Sequence, residues 1–107
     1  MDTLISKLVE QIKAECLEYF QDTSLDHEFR KYLEDYYCYV DAEFLPSWYD
    51  DGSDMVSVEV RAELDYDSFL DLLERLDDVV VKYDKYAYFD MHSPSIAMCG
   101  IPADALL

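Results

Sequence analysis

Residues 55–64 read Met55-Val56-Ser57-Val58-Glu59-Val60-Arg61-Ala62-Glu63-Leu64. Val56, Val58, Val60, Ala62 and Leu64 alternate with Ser57, Glu59, Arg61 and Glu63. A period of two sends successive side chains to opposite faces, so this stretch predicts a strand with one dry face and one wet face. Just upstream, Cys38, Val40, Ala42 and Phe44 alternate with Tyr39, Asp41, Glu43 and Leu45, which predicts a second half-buried strand. Between them, Pro46 to Asp54 carries Pro, Gly, Ser and three Asp and reads as a loop. The two strands are therefore expected to pair as an antiparallel hairpin.

Outward from the hairpin the period changes. Over residues 4–20, Leu4, Ile5, Leu8, Val9, Ile12, Cys16 and Phe20 recur at three- and four-residue intervals, the stripe of an amphipathic helix that Thr3 or Asp2 can cap. Gln21-Asp22-Thr23-Ser24 breaks that pattern. Leu25, Phe29, Tyr32, Leu33 and Tyr36 then predict a second helix, with Asp26, Glu28, Arg30, Lys31 and Glu34 on its other face. Downstream of the hairpin, Asp65 is the expected N-cap of a third helix from Tyr66 to about Leu76, cored by Phe69, Leu70, Leu72, Leu73 and Leu76. Val79 to Met91 is rich in Val and Tyr and predicts one or two strands. His92-Ser93-Pro94-Ser95 reads as a turn and Ile96 to Ile101 as a last strand. The expected fold is a single small α+β domain over residues 1–107, in the order α-α-β-β-α-β-β, an antiparallel sheet with helices packed on one face.

The chain holds 25 Asp and Glu against 8 Lys and Arg, a formal charge of −17 over 107 residues. Such charge alone suggests disorder, but 51% of the residues are apolar and 15% aromatic, enough to build a core. A field of this sign repels phosphate, which excludes direct contact with nucleic acid or an anionic membrane surface and favours basic partners. No run is long and apolar enough to span a bilayer, and the first residues do not pattern as a secretory leader. Cys16, Cys38 and Cys99 are odd in number and widely spaced, which points to reduced thiols in a cytoplasmic protein.

The charge is concentrated. Residues 35–78 hold 2 basic and 14 acidic residues, net −12. Asp67, Asp71, Glu74 and Asp78 are spaced four, three and four apart, so a helix presents them as one acidic stripe, which only Arg75 can offset locally by pairing back to Asp71. Asp41, Glu43, Glu59 and Glu63 fall on the wet faces of the two strands, and the loop adds Asp50, Asp51 and Asp54. Crowding like charges costs stability. The plain explanation is a solvated face that keeps the chain soluble. The interleaved Tyr36, Tyr37, Tyr39, Trp48, Tyr49 and Tyr66 favour a partner-binding surface, because aromatic rings anchor interfaces and carboxylates steer a basic partner. Trp48 and Tyr49 are the aromatic contacts expected in it, the alternative being a loop that tucks both rings back onto the core. The facing of Tyr83, Tyr86 and Tyr88 does not follow from the sequence, since no register is set there.

Catalytic patterns are missing. With only Gly52 and Gly100 there is no phosphate-cradling loop, and no nucleophile elbow is present. His27 and His92 sit in no motif with a nucleophile, and the cysteines lack zinc-ligand spacing. Asp50-Asp51-Gly52-Ser53-Asp54 fails as a calcium loop: counted from Asp50, the glycine comes too early and Arg61 stands where a bidentate glutamate is needed. No catalytic residue, metal or cofactor is expected. Size and charge resemble the small acidic proteins of phages and mobile elements that block restriction or CRISPR effectors, a compositional likeness carried by no motif. The expected function is that of a non-enzymatic inhibitor, a nucleic-acid mimic on the basic surface of an effector or nuclease. An immunity protein or antitoxin neutralising a cationic toxin, or an acidic protein–protein interaction module, fits the same features. Monomer and homodimer are both open, with Val79-Val80-Val81 a central strand or an edge that pairs between chains.

Overall fold

The computed structural model describes residues 1–22 and 38–107. The helix expected from Leu25, with His27 on it, lies outside the described residues. The element order is α1 (Asp2–Asp22), β1 (Cys38–Leu45), β2 (Met55–Ala62), α2 (Tyr66–Val80), β3 (Asp90–Ser93), β4 (Ile96–Pro102) and a closing 3-10 turn (Ala103–Leu106). The strands form one antiparallel sheet in the order β1-β2-β4-β3. This is the α+β arrangement that the two periodicities predict.

The hairpin register places Cys38 opposite Ala62 and Leu45 opposite Met55. On the other side of β2, Arg61 stands opposite Ile96 and Met55 opposite Pro102. Val56, Val58, Val60 and Ala62 of β2 and Ala97, Cys99 and Ile101 of β4 all point to one side and are buried there. Phe69, Leu72, Leu73, Leu76 and Val80 of α2, and Leu8, Ile12, Cys16, Tyr19 and Phe20 of α1, close over them in one core. Coverage fades along β1: Val40 is buried, Ala42 half-buried and Phe44 is 38% exposed, because β1 is an outer strand of the sheet.

Asp65 caps α2 as expected. Its backbone is extended, and its carboxylate accepts the Ser68 N–H at 2.8 Å, which satisfies a helix-start donor and holds the Asp65 carboxyl below its ordinary pKa. The loop before β2 is equally ordered. Gly52 N–H donates to the Tyr49 carbonyl at 2.9 Å, and Gly52 carries the positive φ of 83° that a side chain would strain.

One expectation fails. Val79 and Val80 do not begin a strand; they finish α2, and residues 81–89 form turns before the short β3. Val80 falls on the same helical stripe as Phe69, Leu72, Leu73 and Leu76 and is fully buried. Burying a valine is worth about 1.5 kcal/mol or more, which exceeds its helix-propensity deficit of under about 0.7 kcal/mol. Val79-Val80-Val81 is therefore neither a central strand nor an edge. The turn expected at residues 92–95 is shorter, since His92 and Ser93 belong to β3 and the chain turns at Pro94 and Ser95.

Candidate functional site

The described carboxylates singled out in the sequence fall on three surfaces. The first is the helix stripe. At about 100° per residue, Asp67, Asp71, Glu74 and Asp78 centre about 170° round the α2 axis from the buried set Phe69, Leu72, Leu73, Leu76 and Val80. All four are exposed. Burial of the apolar stripe thus aims the acidic one straight out. Its N-terminal half borders an open groove of ≈ 360 Å3 lined by Tyr19, Ser68 and Leu70 together with Asp67, Asp71 and Glu74. The Tyr19 hydroxyl donates to the Ser68 carbonyl at 3.0 Å, tying α1 to α2. Burial pushes the Tyr19 phenol above its ordinary pKa, and the Asp71 carboxylate adds to the shift. Arg75 reaches across to α1, with its guanidinium carbon 5.2 Å from the centroid of the Tyr19 ring.

The second surface is the outer face of the sheet. Asp41 of β1 stands opposite Glu59 of β2, Glu59 opposite Met98 of β4, and Met98 opposite Asp90 of β3, all in one row on the same face. Some of this charge is already engaged. Arg61 Nη2 lies 3.0 Å from Glu59 Oε1, and the Arg61 guanidinium sits 5.7 Å from the centroid of the Tyr39 ring. The Tyr39 hydroxyl donates to Asp41 at 3.3 Å. Asp41 and its neighbour Glu43 are both exposed. Glu63, expected on this strand face, lies just beyond β2, which stops at Ala62 where the Leu64 N–H folds back to the Ala62 carbonyl.

The third surface is the loop. Trp48 is 59% exposed, whereas Tyr49 is half-buried. Burial, and the carboxylates of Asp84 and Asp51 together with Cys99, push the Tyr49 phenol up. Asp50 and Asp51 edge an open depression of ≈ 630 Å3 with Tyr49, Ser53, Pro102 and Asp104. Two loop carboxylates hold the loop itself. Asp54 accepts the Ser47 N–H at 2.8 Å, which steadies the positive φ of 53° at Ser47. Asp51 accepts the Ser53 N–H at 2.9 Å and its hydroxyl as well, and those donors keep the Asp51 carboxyl below its ordinary pKa.

The helix stripe and the sheet face are not one surface. Strand alternation turns Asp41, Glu43 and Glu59 away from the core, and helical phase turns the α2 stripe away from it on the other side. The core lies between them. Among the described residues, Asp67, Glu74 and Asp78 show no hydrogen bond or ion pair.

Sequence reading overlooked Asp77. It is half-buried behind the stripe and accepts the Phe89 N–H at 2.7 Å, fastening the 81–89 turns to α2. Only its position between Leu76 and Asp78, off the acidic stripe, hinted at this. Burial pushes the Asp77 carboxyl up, the Phe89 N–H opposes, and Asp78 and Glu74 add to the rise. A carboxyl raised in the folded state contributes its stabilisation below the unfolded pKa and loses it as pH climbs through the folded pKa. Asp77→Asn keeps an acceptor for Phe89 and is therefore expected to be at least as stable as the parent at neutral pH, with any advantage shrinking on acidification. Asp77→Ala leaves that N–H without its partner and should lose about 1–2 kcal/mol. Urea unfolding across pH distinguishes them, and equal midpoints for the two variants would show that the bond contributes nothing.

Tyr86 and Tyr88 are exposed at 76% and 62%, whereas the Tyr83 hydroxyl is engaged by Gln11 of α1. Cys16 and Cys99 are buried, and burial pushes the Cys99 thiol up to about 12, far from a reactive thiolate. His92 is exposed on β3. Among the described residues, no three His, Cys, Asp or Glu side chains are grouped to hold a metal ion, and no helix is long and apolar enough to cross a membrane. No family model, curated protein or solved structure matches the chain.

Proposed function

We infer that the chain is a non-catalytic acidic inhibitor that occupies the basic nucleic-acid-binding surface of an effector or nuclease, of the restriction or CRISPR type, in the cytoplasm. The α2 stripe is the observation that carries this. Four exposed carboxylates stand on a helix whose opposite face is anchored by five buried side chains. Asp67 and Asp78 are separated by eleven residues, about 16 Å of helix. Charge therefore recurs about every 5–6 Å along a rigid line, the same order as the one charge per 3.4 Å of axis on a nucleic-acid strand. A basic groove shaped for phosphates would meet these carboxylates without the chain reorganising. The odd cysteine count and the buried Cys16 and Cys99 support the cytoplasmic part of the reading.

Displacement tests it. Restriction and CRISPR effectors are loaded with fluorescent duplex DNA and titrated with the chain at low salt. At least one effector is expected to release its DNA, and the effect should weaken steeply as salt rises. If the chain binds effectors but leaves their DNA in place, or binds none of them, mimicry is wrong.

A further inference from the structure

The geometry points to a second docking surface, the outer face of the sheet, built to seat a basic amphipathic helix of a partner protein along β4. It is independent of the α2 stripe. Ile96, Met98 and Pro102 face outward along β4 and are half-buried, and Met55 stands beside Pro102 in the same orientation. Gly100 would leave a dip in this row. Met55 fills it: a Cβ at Gly100 would lie 2.8 Å from the Met55 sulfur. The result is a continuous apolar strip about 20 Å long, the length of about 13 helical residues. Its methionines are unbranched and adapt to what packs on them.

Carboxylates flank the strip. In the row through Met98, Glu59 lies on one side and Asp90 on the other. Two strand spacings separate them, about 10 Å, which matches the 10–12 Å girth of a helix with its side chains. Asp41 and Glu43 extend the acidic border beyond Glu59, and both are exposed. Arg61 is the one cation among the described side chains of this face, and it is already committed to Glu59 and the Tyr39 ring. Among the described residues, α1 and α2 both pack on the opposite side of the sheet.

Charge complementarity selects the occupant. Leu, Ile or Met residues at helical spacing would cover the β4 strip, and Lys or Arg on the two shoulders of the helix would meet Asp90 on one side and, on the other, Asp41 and Glu43 beyond the Arg61-paired Glu59. A second copy of the chain would set these carboxylates against their own kind, and an anionic lipid surface would be repelled.

The probe is a synthetic amphipathic peptide of about 14 residues, Leu on one face and Lys on both shoulders, compared with a Ser/Lys peptide of equal charge. The full chain carries labelled Ile and Met methyls for NMR. The Leu/Lys peptide is expected to shift the methyls of Ile96, Met98 and Met55, and the Ser/Lys peptide to leave them nearly still. The double variant Ile96→Lys with Met98→Lys, shown folded by circular dichroism, should raise Kd for the Leu/Lys peptide about tenfold or more. Reversing Asp67, Asp71, Glu74 and Asp78 to Lys should leave the methyl shifts in place. The inference is overturned if these methyls do not move in the parent chain, if both peptides move them equally, or if only reversal of the α2 stripe abolishes binding.

Discussion

Phe69→Ala is expected to cost about 3–5 kcal/mol of folding stability, against a total of about 5–15 kcal/mol for a domain of this size. Phe69 is fully buried. It sits one turn into α2, where its N–H donates to the Asp65 carbonyl at 2.9 Å. Its ring belongs to the same buried cluster as Val56, Val58, Val60 and Ile101. Two effects oppose one another in the variant. Alanine is the better helix former, but by less than about 0.7 kcal/mol. The lost transfer energy and the cavity outweigh that gain several-fold. Urea unfolding should show a midpoint displaced far toward zero denaturant. The slope should stay the same if the native and unfolded states keep their surfaces. A loss below about 1 kcal/mol would mean that α2 does not seal the sheet through this residue.

The second large effect concerns binding. The fourfold reversal Asp67→Lys, Asp71→Lys, Glu74→Lys and Asp78→Lys is expected to weaken capture of a DNA-binding effector about 100-fold or more at low salt. It should not unfold the domain. None of the four side chains is buried, and lysine is a better helix former than aspartate. The formal charge falls from −17 to −9, since each reversal changes it by two, and this eases the repulsion across the whole fold. The costs are the loss of the acidic first-turn residue Asp67 beside the helix N-terminus and the like-charge contacts of new lysines at positions 71 and 78 with Arg75, each a small term. Reversal of Asp41 and Glu43 on the far side of the core is the control, removing carboxylates without touching α2 at half the change in charge. Affinity measured against salt separates the outcomes. If the α2 variant folds and binds as the parent does, the stripe is only a solvated face.

Much of the fold is written in local periods. The β2 alternation, the α1 stripe and the Asp65 cap each depend on residues within a few positions of one another, and each forms as expected. The error at Val79 and Val80 has the opposite origin. Two β-branched residues read locally as strand, yet their place is decided by Phe69 and Leu76, whose stripe Val80 completes against the sheet. Likewise, Asp77 resembles every other carboxylate in its neighbourhood until the chain returns, twelve residues later, to place the Phe89 N–H against it.

By itself the sequence determined the kinds and order of most of the elements among the described residues, the strand expected at Val79 excepted, and that the excess charge is gathered in residues 35–78. These properties follow from spacing along the chain, and spacing is local. Only the tertiary structure decided which charges share a surface. The helix stripe and the strand carboxylates, contiguous in the sequence count, are turned to opposite sides because each element buries its own apolar face in the common core. Asp51, Asp54, Asp65 and Asp77 are held by nearby N–H groups, which leaves the α2 stripe as the acidic surface with the least internal employment.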